Sequence, residues 1–158
     1  METFKLRKIV TGHDEHGKSV VVADGIVTGE GDRPGESSAV IWVSRGFPVD
    51  NDVANDISAS EQRTSEDDGA VFRIIRYEPG VAPRHHRTNS IDYVVVMSGM
   101  IDMVLDQETV TLNAGDTLVQ RGTIHNWINH GPEPCIVAFA LIGAHPVNVH
   151  GRTLLPTG

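Results

Sequence analysis

Three side chains of this chain could share one metal ion: His86, Asp92 and His125. Two imidazoles and one carboxylate leave coordination positions open, an arrangement that suits Fe(II) and also Mn, Ni or Zn. His86 ends an extended run after Pro79–Gly80, Asp92 opens the next run after the polar turn Asn89–Ser90, and His125 opens a later one. Antiparallel hairpins could carry all three to one barrel interior. The same residues could instead line a metal-free pocket, with His125 or Asp92 acting as a general base. His85 is adjacent, but strand alternation sends it to the opposite face. A local bulge would reverse that choice, so His85 ranks second as a ligand.

Side chains at i and i+2 share a face of a strand, so Trp127 and Asn129 follow His125. Trp127 could wall a substrate or simply pack in the core. Gln120 could reach the cavity as a hydrogen-bond donor. Arg84, Arg87 and Arg121 surround the candidate site in sequence. An arginine at its mouth would grip a substrate carboxylate with a bidentate fork, or it would balance surface acids. Met97, Met100 and Met103 are expected to fill core gaps, and Cys135 to be a buried, inert thiol. His13 and His16 fall in a polar turn, His130 precedes Gly131–Pro132, and His145 and His150 lie near the C-terminus, all without an assigned role.

Many short strands must hold these groups. Lys5–Thr11, Ser19–Ala23, Ala39–Ser44, Val71–Tyr77, Asp92–Met97, Met100–Asp106, Glu108–Leu112, Thr117–Gln120, His125–Asn129 and Cys135–Ile142 carry the β-branched and apolar residues. Ser98–Gly99, Asn113–Asp116, Arg121–Gly122 and His130–Pro132 punctuate them. This spacing predicts an all-β sandwich or barrel. Between Gly46 and Gly69 seven carboxylates face one base, Arg63, which concentrates most of the net charge of −8 in one segment. That segment is expected to be a solvated loop, with a short helix around Val53 and Ile57 or a lid over the pocket as the alternatives.

The length of 158 residues fits a single domain with its own core. With 39% hydrophobic and 22% charged residues, the composition is that of a globular protein and excludes a disordered or collagenous chain. The acidic balance argues against nucleic acid or an anionic membrane as partner. One cysteine cannot form an internal disulfide, the longest apolar run is too short to span a bilayer, and METFKLRKIV lacks a long apolar segment. The expectation is a cytoplasmic protein without a leader.

Gly80, His86, Thr88, Asp92 and Gly99 fall at the intervals of the first cupin motif, G(X)5HXH(X)3–4E(X)6G. Gly115–Asp116, Gly122, His125 and Asn129 resemble the second, G(X)5PXG(X)2H(X)3N. The runs HRTNSIDYVVVMSG and GDTLVQRGTIHNWIN resemble those of small single-domain cupins with HRT-x-S-x-DY and VQRGT-x-H-x-W signatures. The resemblance implies a double-stranded β-helix (jelly-roll) barrel occupying 1–158, with a motif-bearing core at about 71–142, N-terminal strands within 5–44 that complete the barrel, and an acidic loop at 46–69. It also implies a site of His86, Asp92 and His125 holding a divalent metal. The chain departs from the pattern at Thr88, which replaces the second histidine, at Asp92, which replaces a glutamate, and at Gln120, which replaces a proline.

The expected function is a metal-dependent enzyme acting on a small carboxylic or keto acid, with lyase, decarboxylase or isomerase chemistry preferred. His125, Asp92, Trp127 and Gln120 are the candidate catalytic group. A non-haem iron oxygenase of the same fold and a metal-free ligand-binding module are the alternatives. A homodimer is expected, because exposed strand edges favour association.

Overall fold

The computed structural model describes residues 3–52 and 65–158, and all regular structure in them is β-strand. Two sheets face each other across the core. The larger contains β3 (Glu30–Arg33), β4 (Glu36–Arg45), β5 (Gly69–Tyr77), β11 (Cys135–Gly143), β6 (Ser90–Ser98) and β9 (Thr117–Arg121), in the order β3-β4-β5-β11-β6-β9. The smaller has the order β10-β7-β8, built from β10 (Asn126–Ile128), β7 (Met100–Val104) and β8 (Thr109–Asn113). This is the expected all-β double-stranded β-helix.

Alternation explains the core. In β6, Asp92, Val94 and Val96 are buried while Tyr93, Val95 and Met97 are exposed. In β11, Cys135, Val137, Phe139 and Leu141 point inward. With Val71, Ile75, Ile101, Met103 and Trp127 they form one apolar cluster between the sheets. Gly99 turns β6 into β7 at φ 76°, where an added Cβ would lie 2.7 Å from the Pro134 carbonyl oxygen. Only glycine meets both conditions.

Of the N-terminal strands expected to complete the barrel, β4 joins the large sheet and the first two do not. β1 (Lys5–His13) and β2 (Ser19–Thr28) pair with each other as a separate hairpin and do not enter the barrel sheets. The hairpin is anchored at its base by Phe4, which packs with Ala39 and Ile74 on the outer face of the large sheet. Gly29 lies so close to the Phe4 ring that no side chain would fit there. Along the rest of β2, Val20, Val21, Val22 and Ile26 are exposed, and the burial alternation that fixes a barrel strand is missing.

β12 (Val147–Val149) and β13 (Arg152–Leu154) form a second hairpin, which the polar sequence there conceals. Met97 and Met100 flank the Gly99 turn and are exposed, so of the three methionines only Met103 fills the core. The helix expected around Val53 and Ile57, and the middle of the acidic segment 46–69 read as a loop or lid, lie outside the described residues. Among the described residues no helix is long and apolar enough to cross a membrane.

Candidate functional site

His86 and His125 are direct partners across an isolated antiparallel bridge. Each backbone N–H donates to the other's carbonyl, both at 3.0 Å. Directly opposed residues project to the same side, and here the two rings lie 4.2 Å apart, centroid to centroid. His85 points outward and is exposed.

The tautomers follow from the hydrogen bonds. His86 Nδ1 lies 3.1 Å from the Arg84 carbonyl oxygen, and His125 Nδ1 lies 3.0 Å from that of Thr123. A carbonyl only accepts, so each Nδ1 carries the proton and each Nε2 keeps its lone pair. Backbone carbonyls orient metal-binding histidines in the same way. Burial holds both imidazoles below their ordinary pKa, His125 down to about 4. Both rings are therefore neutral at pH 7 and able to act as bases or ligands.

These rings line a small cavity of about 40 Å³ together with Asp92, Thr88, Trp127, Arg33 and Glu36. Trp127 meets His125 edge-on at 6.0 Å and packs on Phe139 from its other side. Asp92 is 3% exposed and accepts a 2.6 Å hydrogen bond from Ser90 Oγ, which lies 2.8 Å from Thr88 Oγ. Burial raises the Asp92 carboxyl to about 6 despite the Ser90 bond. Arg33 and Glu36 form a buried pair, Nη2 to Oε2 at 2.6 Å. Arg73 and Arg84 line the same cavity, so its walls are richer in cations than in anions.

The structure thus brings His86, Asp92, His125 and Trp127 to one cavity. It also adds Arg33, Glu36, Arg73 and Tyr77, which sequence reasoning missed. The first two come from a Gly- and Pro-rich polar stretch that reads as a turn. Alternation in β5 was the available signal for Arg73 and Tyr77, since both share a face with Ile75. Gln120 is buried, but it lines a neighbouring cavity instead. Gln120 stands opposite Asp92 in the β6–β9 ladder, yet the two line different cavities. Asn129 is fully buried and braces a turn: its amide donates to the Tyr77 and Glu133 carbonyls and accepts from the Gly131 N–H.

The donor chemistry fits a metal in part. Two oriented imidazoles with free Nε2 atoms stand side by side, and a carboxylate shares their cavity. Among the described residues, however, no three His, Cys, Asp or Glu side chains converge closely enough to hold an ion. Asp92 is held back on Ser90.

The Cupin domain family profile matches residues 73–141. Over 156 residues the chain is 36% identical to a cupin-domain-containing oxidoreductase, fogC, of Aspergillus ruber, covering 92% of this chain and 76% of that protein. It is 43% identical over 88 residues to phomopsin biosynthesis cluster protein C' of Diaporthe leptostromiformis, covering 54% of this chain and 47% of that one, so it spans about half of that relative. Among solved structures, the polyketide cyclase RemF of Streptomyces resistomycificus superposes with a TM-score of 0.52 at 16% identity, covering 77% of each chain, a likeness of fold alone. By sequence along nearly its whole length, this chain belongs to the cupin family.

Proposed function

We propose that the protein is a metal-dependent cupin oxidoreductase acting on a small organic acid, with the metal held by His86 and His125 and with Asp92 as third ligand once its carboxylate turns from Ser90. One observation carries this reading: two buried imidazoles are fixed side by side, each with Nδ1 tied to a carbonyl and Nε2 left over. The lyase-type chemistry expected from the sequence yields to oxidoreduction because the Aspergillus ruber relative bears that name. A redox-capable metal at this position would supply electron transfer and Lewis acidity. The chain supplies the rest. The Arg84 and Thr123 carbonyls orient the rings, and Trp127 keeps the His125 ring from turning.

Elemental analysis tests the assignment. Purified protein is expected to carry one divalent metal per chain, lost in Asp92→Ala and in His125→Ala. Stoichiometric metal in the double variant would remove this site from consideration. Oxygen uptake during turnover would identify the oxidant.

A metal-free acid–base enzyme is the second reading. The Asp92 carboxyl supports it, since burial raises it to about 6, where it can give up and take back a proton near neutral pH beside the neutral His125 ring. Turnover that survives exhaustive chelation, but not His125→Ala, would establish it.

We also propose a homodimer in the cytoplasm. The supporting observation is exposed apolar side chains on two parts of one chain: Ile9, Val21, Val22 and Ile26 on the hairpin, around the Arg7–Asp24 ion pair, and Tyr93, Met97 and Val119 on the outer sheet. Each could cover the other in a twofold pair.

A further inference from the structure

The histidine cavity is too small for an organic molecule: at about 40 Å³ it holds an ion or about one water. Beside it lies a chamber of about 590 Å³, the size usual for small-molecule sites. Thr88 belongs to both walls. The chamber opens to solvent and is bounded by β6, β7 and β9 and by the C-terminal hairpin, and Met103, Leu105, Leu118 and Leu154 make it largely apolar.

Two side chains in this wall carry buried polar atoms without a partner. Gln120 is 2% exposed, and neither its Oε1 nor its Nε2 makes a hydrogen bond. A side-chain amide buried in this way is costly unless something arrives to satisfy it. Arg87 Nε is the second. The Arg87 backbone pairs with Thr157 in both directions, and its Nη1 donates to the Leu155 carbonyl, which holds the guanidinium at the chamber wall. Arg121 lines the chamber as well. Among the described residues no Asp or Glu lines it, in a chain whose net charge is −8. The charged side chains of its lining are thus arginines, which favour an anion over a cation.

We infer that this chamber binds the body of an organic acid, with its carboxylate toward Arg87, its hydrocarbon against Met103 and the leucines, and a carbonyl or hydroxyl on the Gln120 amide. That the bound acid is the substrate rests on the proposed function; the binding itself does not require the histidines. The hydroxyls of Thr88 and Ser90 run from the chamber wall to Asp92, and they join the two compartments with hydrogen bonds of 2.8 and 2.6 Å.

Titration calorimetry with 4-hydroxyphenylacetate tests this, with the neutral analogue 2-(4-hydroxyphenyl)ethanol as control. Wild type is expected to bind the acid and prefer it to the alcohol. Gln120→Met should weaken binding of the acid about tenfold, the loss of one buried hydrogen bond. Arg87→Met should erase the preference for the acid. His125→Ala should change the acid's Kd by less than about twofold. If His125→Ala retains both binding and metal, the proposed metal site fails and the chamber stands. A wild type that ignores the acid at millimolar concentration overturns the inference, as does a Gln120→Met variant that binds equally well. A second readout is the melting temperature without ligand. Removing an unsatisfied amide should leave it unchanged or raise it, and a clear drop in Gln120→Met would mean that Gln120 is a structural residue.

Discussion

Asp92→Asn should steepen the pH dependence of stability, because in the wild type two buried groups oppose each other. His125 titrates at about 4 when folded, against an ordinary 6.5. Between those values the unfolded chain binds more protons, so this residue makes stability rise with pH. It contributes roughly 3 kcal/mol that is present above pH 6.5 and lost as pH falls through about 4. Asp92 titrates at about 6 when folded, against 3.8. There the folded chain binds more protons, so stability falls as pH rises from 3.8 to about 6, again by roughly 3 kcal/mol. Over the shared window the two slopes nearly cancel. Removing the carboxyl leaves the histidine slope exposed, and His125→Ala does the reverse. Urea denaturation of chelator-treated protein at several pH values measures this. Subtracting each variant's curve from the wild type removes the background from all other titrating groups. The two difference curves should slope in opposite directions, each spanning roughly 3 kcal/mol. Flat difference curves would refute the claim that burial at this site displaces both protonation equilibria.

Asn129→Ala should destabilise the fold by about 3 kcal/mol, since three buried hydrogen bonds are lost at once, and urea denaturation at pH 7 would read it. Cys135 should ignore a thiol reagent in the native protein and react on unfolding, because it is fully buried and burial pushes its thiol up to about 11. In light scattering, wild type should have the mass of a dimer. Val21→Lys with Ile26→Lys should give a monomer of unchanged melting temperature, because both residues are exposed within one chain. A monomeric wild type would dispose of the dimer.

The barrel was legible because alternation is a local property: Asp92, Val94 and Val96 face inward wherever β6 lies. The His86 and His125 pairing was legible in outline because each falls in an extended run and the motif intervals align them. Position within the enclosed volume was not legible. Asp92 and Gln120 are cross-strand partners, yet they line different cavities, and strand alternation fixes only the face of the sheet, not which space on that face a side chain enters. Arg33 and Glu36 were hidden by their turn-like surroundings, and only the β3–β4 pairing brings them to the histidines. The hairpin of β1 and β2 carries the composition of barrel strands, and its separate place becomes apparent only once Phe4 is seen docked on the outer sheet.

Anomalous diffraction from crystals of metal-loaded protein tests the central claim most directly. The account predicts a single strong peak within bonding distance of both the His86 and the His125 Nε2 atoms, with the Asp92 carboxylate turned away from Ser90 toward it. A peak at any other side chains, or a histidine pair that holds no metal under saturating conditions, would contradict it.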